Sequence, residues 1–347
     1  MKHAPAPAVM PTVPTTPTMP TDGRRPVPVI DFAPFAKDAA GRAEVAAAIR
    51  DACEYVGFFY LQVEAGAHIA TILDLSRRFF DTPLAAREHA DLRARPDSPR
   101  GYVPFNTRRL PNTGAPNLQE AFKLGPELAL DDPDLVAGQR MCFANKWPLD
   151  LPEWRSAILA YYDAMSALSG QLLRAFALSL DLPEDWFAAY FSKPLSQLSL
   201  IHYPPQDPDA PRDEYGIHPH TDQTMFSILA QDDVGGLEVR AADGGWLQVP
   251  SRPGLFVVNI GNLMARWTND RYASTEHRVF NRGGRERYSA PFFYRPDFDT
   301  VITCLPTCQN AARPARHEPF DFGASISMRV RSDWVGSAPD KGNAQDY

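Results

Sequence analysis

The chain has 347 residues, 44% of them hydrophobic and 22% charged, the balance of a globular protein with enough apolar material for one large domain or two ordinary ones. Its 42 acidic and 35 basic residues leave a net charge of -7, which argues against general attraction to nucleic-acid phosphates or anionic lipid. It lacks a run of roughly 18 apolar residues for a membrane helix, and its four cysteines form no CxxC pair, so the expectation is a soluble, cytoplasmic protein without a disulfide framework.

Residues 1–26 are rich in Pro and Thr and lack the apolar block of a secretory signal, so they read as a disordered, polyproline-like tail. VPVIDF, from Val27 to Phe32, reads as an early strand. A helix is predicted from Ala39 to Tyr55, with Val45, Ile49, Ala52 and Val56 at helical spacing and Gly57 at the C-terminal cap. FFYLQV, from Phe58 to Val63, is a buried-strand candidate, and HIATILDLSRRFFDTP a second amphipathic helix stopped by Pro83. Between about Asp91 and Asp150 Pro, Gly and Asn accumulate, and this stretch reads as loop of a kind that often carries function. A third helix is predicted within Leu151 to Leu180, where Trp154, Ile158, Met165, Leu168, Leu172 and Phe176 form a core stripe.

From Ser196 onward the period changes to short β-type runs separated by turn signals such as Asp243-Gly244-Gly245: QLSLIHY, TMFSILAQ, GGLEVR, WLQVP, GLFVVNI, HRVF, SAPFFYR and TVITCL. The fold class expected is therefore mainly β with flanking helices, an antiparallel sandwich or barrel with the preceding helices on one outer face. Residues 27–150 form an N-terminal helical and strand region, 151–335 a helix plus catalytic core, and 336–347 a flexible C-terminus, with no internal repeat.

The strand-rich half contains GIHPHTDQT, in which alternate residues of an extended segment aim His220 and Asp222 the same way. With His277 of STEHRV they make two imidazoles and a carboxylate, the facial triad that holds iron(II) and leaves positions open for small ligands. His218 shares their parity and His202 lies on the preceding strand; both are assigned supporting roles. Arg287 and Ser289 form an RxS pair suited to a carboxylate, with Tyr203 placed to add a phenolic hydrogen bond.

These motifs together resemble the isopenicillin N synthase-like branch of the iron(II)/2-oxoglutarate-dependent dioxygenases over most of residues 27–330: VPVIDF, GFFYL, RGY at Arg100 to Tyr102, HYPP, HTDQT, GGLEV, VNIGNLM, STEHRV and RERYSAPFF. Two departures stand out. Ile201 replaces the Asn common in plant members two residues before the tyrosine, and Asn262 stands where relatives often read Asp.

The resemblance implies a double-stranded β-helix, or jelly-roll, core, iron on His220, Asp222 and His277, and a 2-oxoglutarate carboxylate on Arg287 and Ser289 with help from Tyr203. It implies oxidation of a small organic molecule by hydroxylation, desaturation or cyclisation, with 2-oxoglutarate and O2 converted to succinate and CO2, ascorbate as a stimulant, and no catalytic side chain beyond the metal ligands. The alternative within the fold is an isopenicillin N synthase-like or aminocyclopropane carboxylate oxidase-like enzyme that does not use 2-oxoglutarate. Tyr102, Phe105, Arg108, Phe122, Phe292 and Phe293 are the expected substrate contacts. The partners expected are a small-molecule substrate, without nucleic acid or membrane, and a monomeric state; a role in bacterial specialised metabolism fits the family's habits.

Overall fold

The computed structural model describes residues 25–105, 107, 117–138, 140–207, 209 and 213–332. Most of the expected N-terminal tail, the expected C-terminal tail and Arg108 lie outside the described residues.

The helix Ala39–Tyr55 begins where the Asp38 carboxylate accepts a hydrogen bond from the Gly41 amide at 2.8 Å. It ends at Tyr55, two residues before Gly57, whose φ of 66° is the left-handed conformation that terminates helices at no steric cost to glycine. The helix Trp154–Ser179 buries the apolar stripe read from its spacing, and Trp154 donates its indole N–H to the Leu75 carbonyl at 2.9 Å, joining it to the helix His68–Phe80. All four cysteines are free thiols.

Among the described residues the strands are β1 (Val29–Asp31), β2 (Phe58–Gln62), β3 (Gly101–Val103), β4 (Glu120–Leu124), β5 (Gln197–Tyr203), β6 (Ile217–His220) and β7 (Phe226–Gln231). They continue with β8 (Leu237–Arg240), β9 (Trp246–Gln248), β10 (Leu255–Ile260), β11 (His277–Val279), β12 (Arg287–Tyr294), β13 (Val301–Ile302) and β14 (Phe320–Asp321). The large sheet runs β1-β2-β10-β7-β12-β5-β4-β3, antiparallel except for the β1/β2 pair. The small sheet runs β6-β11-β8-β9 and faces it, completing the jelly roll. β13 and β14 pair separately.

Two apolar layers follow from strand alternation. On one face of the large sheet, Phe59, Phe122, Leu198, Leu200, Phe292 and Tyr294 pack against the three long helices. On the other face, Tyr60, Ile201, Tyr203 and Val257 meet Leu237, Val239 and Val279 of the small sheet. The predicted helices and the strands after Ser196 appear where their periodicity placed them. The region expected to be loop-rich contains β3 and β4, which extend the large sheet beyond β5. They escape a periodicity reading because one is only three residues long and both sit among turn formers.

Candidate metal centre

β6 and β11 pair antiparallel with His220 opposite His277, which brings the two rings to 4.3 Å between centroids. Asp222 lies just beyond the end of β6, and its Oδ1 is 3.8 Å from His220 Nε2 and 3.9 Å from His277 Nε2. One ligand atom from each residue falls within 4.8 Å of the others, a cluster that could hold one metal ion.

The atoms that do not face this point are already engaged. His220 Nδ1 donates to the His218 carbonyl at 2.8 Å and His277 Nδ1 to the Thr275 carbonyl at 3.1 Å. Since a carbonyl only accepts, each ring carries its proton on Nδ1 and presents a bare Nε2 lone pair. Asp222 Oδ2 accepts from Ser227 Oγ at 2.7 Å and from Asn259 Nδ2 at 2.9 Å, which leaves Oδ1 for the metal. Burial alone would raise the Asp222 pKa, but His277, His220 and these two donors hold it down to about 2. Burial and the neighbouring His277 push His220 down to about 3, so at neutral pH its imidazole is neutral beside the Asp222 carboxylate.

Asn262, at the position where relatives often carry Asp, anchors this turn. Its backbone N–H donates to the Asp222 carbonyl at 2.8 Å and its side-chain oxygen accepts from Ser274 at 2.6 Å.

Arg287 and Ser289 stand opposite Tyr203 and Ile201 in the β12/β5 ladder, so all four side chains share the face that looks into the jelly roll. The Arg287 guanidinium lies over the Tyr203 ring, 4.7 Å from its centroid. Its Nε donates to the Gly235 carbonyl at 2.6 Å and one Nη to Gln231 at 3.3 Å, while Nη1 is buried with no hydrogen-bond partner. A buried cationic donor left over in this way fits a carboxylate that belongs to a ligand. Burial raises the Tyr203 pKa, so its phenol stays a neutral donor.

A cavity of about 190 Å³ opens over His220 and Asp222. Its walls are the inward residues of β4 and β5, Phe293 and Arg295 at the end of β12, and Ile326 and Arg329 of the helix Phe322–Ser332. Ile201 and Ile217 line it as well, whereas Arg287, Ser289 and Tyr203 are buried and are not among its lining residues.

The expected substrate contacts separate by strand parity. Phe293 lines the cavity. Tyr102, Phe122 and Phe292 are completely buried on the opposite face of the sheet, in the layer beneath the helices, and do not reach it. Phe105 stands edge-on to His202, 6.2 Å between centroids, and does not line the cavity either. His202 also points away from the metal, between Glu120 at 2.7 Å and Glu286 at 2.6 Å. His218 is turned out of line by an irregularity in the β6/β11 register and bonds Asn117 at 2.7 Å, so its parity with His220 does not place it at the centre. Arg100, Lys123, Arg295 and Arg329 line the cavity and were absent from the sequence-derived set. Two-residue spacing from Ala121 and Phe293 would have flagged Lys123 and Arg295 once the strand faces were known.

Residues 27–150 match the family described as non-haem dioxygenase in morphine synthesis N-terminal, and residues 194–296 match the 2OG-Fe(II) oxygenase superfamily. The chain is 36% identical over 308 residues to the 2-oxoglutarate-Fe(II) type oxidoreductase hxnY of Emericella nidulans, covering 84% of this chain and 86% of that protein. It is similar to the crystal structure of a full-length Neurospora crassa protein in complex with alpha-KG, with a TM-score of 0.76 at 26% identity over 88% of this chain and 95% of the other. JOX2, solved with 2OG, Fe and JA, superposes with a TM-score of 0.72 at 28% identity over 90% and 87% of the two chains. Sequence kinship along most of the chain and a shared architecture agree with the site's donor set: the chain belongs to the 2OG-Fe(II) oxygenase superfamily and is an iron(II)- and 2-oxoglutarate-dependent oxidoreductase acting on a small molecule, not an oxidase that dispenses with 2-oxoglutarate.

Proposed function

We propose that His220, Asp222 and His277 ligate the iron, and that the distal carboxylate of 2-oxoglutarate rests on Arg287 and Ser289 with a hydrogen bond from Tyr203. The observation that carries this reading is the convergence of three ligand atoms whose side chains have every other polar atom already engaged. The orphaned Arg287 Nη1 supports the second half.

When bound, iron and 2-oxoglutarate supply the oxidising power by activating O2, with succinate and CO2 released. The chain's residues position and shelter. The His218 and Thr275 carbonyls turn both Nε2 atoms forward, and Ser227 and Asn259 restrict Asp222 to one ligating oxygen. No side chain beyond the metal ligands takes part in the chemistry.

The substrate is a small organic molecule that is hydroxylated, desaturated or cyclised in specialised metabolism. The Neurospora crassa protein solved with thymine and JOX2 solved with JA support a compound of that size. The protein acts as a cytoplasmic monomer with neither nucleic acid nor membrane as partner; its acidic net charge supports the exclusion of nucleic acid. Ascorbate is a stimulant of turnover.

The test is succinate release from 2-oxoglutarate by purified protein with Fe(II). Arg287→Gln should raise the KM for 2-oxoglutarate by roughly tenfold or more, the worth of a charge-assisted hydrogen bond. An unchanged KM would remove Arg287 from the assignment.

A further inference from the structure

The cavity over His220 and Asp222 carries an unusual charge balance for an acidic protein. Arg100, Lys123, Arg295 and Arg329 line it, and Asp222, a metal ligand, is its one carboxylate among the described residues. Arg295 also donates from Nε to the Gln223 carbonyl at 3.1 Å, and Arg329 to the Gln223 side chain at 3.4 Å.

Arg100 is held differently. It is only 6% exposed, and it makes no hydrogen bond or ion pair with any described residue; its Nε is fully buried and orphaned. The carboxylates across the adjoining cavity are committed elsewhere. Asp134 pairs with Lys193 at 3.1 Å, and Asp132 accepts from the Asp134 and Leu135 amides. The guanidinium rests against Gly125, where an added Cβ would fall 2.0 Å from Nη2 and 2.2 Å from Cζ, so a larger residue there would displace the guanidinium. It forms part of the wall between the metal cavity and a neighbouring cavity of about 260 Å³, together with Met141, Phe143 and Leu195.

A guanidinium remains charged at neutral pH, and burying one without a counter-ion is costly. A fold keeps such a group where a ligand completes it. Arg287 has the same signature, but it is not among the residues that line this cavity, whereas Arg100 is.

We propose that the substrate carries a carboxylate, that Arg100 binds it, and that the enzyme is therefore specific for small organic acids. The inference rests on reading His220, Asp222 and His277 as the iron site. Arg100 acts as a bidentate anchor that orients the rest of the molecule toward the metal.

Equilibrium dialysis under anaerobic conditions tests this, with Fe(II) and saturating 2-oxoglutarate present so that the Arg287 position is filled. The probes are benzoate, phenylacetate and hexanoate against benzamide, phenylacetamide and hexanamide. At least one acid should bind the wild-type protein about tenfold or more tightly than its amide. Arg100→Gln should abolish the preference, Arg100→Lys should keep part of it, and Gly125→Ala should reproduce the loss while leaving the charge in the chain. Amides binding as well as acids, none of the acids binding, or a preference that survives Arg100→Gln would overturn the proposal. Succinate release by the wild-type protein is measured in parallel: its absence would overturn the reading of the iron site, and its presence with no acid preference would overturn only the carboxylate.

Discussion

Asn259 on β10 donates its side-chain amide to Asp222 Oδ2 at 2.9 Å from 37 positions further along the chain, and by occupying that oxygen it decides which one is left to face His220 and His277. Removing an outer partner of a metal ligand typically lowers metal affinity by roughly 10–100-fold. Asn259→Ala should weaken Fe(II) binding within that range, and Ser227→Ala should act in the same direction. Anaerobic Fe(II) titration checks both, and affinities equal to wild type would show that Asp222 needs no help.

Asp222→Ala should abolish succinate release while the protein stays folded. The site loses its anionic ligand, but the substitution leaves the cores on either side of the large sheet intact. Far-UV circular dichroism and turnover measured on one preparation separate the two effects, and substantial residual turnover would remove Asp222 from the ligand set.

Phe122 and Phe293 should respond oppositely. Phe122 is completely buried against Phe79, 4.6 Å between centroids, and Trp154 at 5.3 Å, so Phe122→Ala should cost about 3–5 kcal/mol of stability. Phe293→Ala, at the cavity wall, should cost much less stability and change the KM for the organic substrate. Urea unfolding combined with steady-state kinetics decides between these patterns.

His202 should make stability depend on pH. Burial on its own lowers its pKa, but hydrogen bonds and charge from Glu120 and Glu286 outweigh this and raise it. Because the folded state binds the proton more tightly than the unfolded chain, the stabilisation is complete below about pH 6.5 and is lost as pH rises through the elevated folded value. The wild-type urea midpoint should therefore fall over that interval, and His202→Gln should flatten the fall. A variant with the wild-type slope would assign the dependence to another group.

Helices with a long apolar stripe were legible because their packing partner is a broad layer that any 3.6-residue period will find, as with Ile49 and Ile158. The three residues of the candidate metal cluster could be picked out for a related reason: metal coordination demands particular atoms, and few residue types supply them. What depended on register was hidden. Parity alone made His218 a rival of His220, and only the irregular pairing of β6 with β11 turns it toward Asn117. Tyr102, Phe122 and Phe292 came from the right strands but the wrong face, since a strand's inward side is settled by neighbours distant in sequence. Arg100 stood in the RGY motif, but nothing there marked it as a ligand group, because its isolation from acidic partners is a property of the folded interior.

β5 and β12 place catalytic surroundings and structural core on opposite sides of the same backbone. Gln197, Ser199, Phe293 and Arg295 look into the cavity, while Leu198, Leu200, Phe292 and Tyr294 sit beneath the helices. Evolution can therefore rewrite Gln197, Ser199, Phe293 and Arg295 while leaving Tyr203, Arg287, Ser289 and the even-numbered positions alone, so that new specificities arise by drift along a single strand without a compensating change in the scaffold.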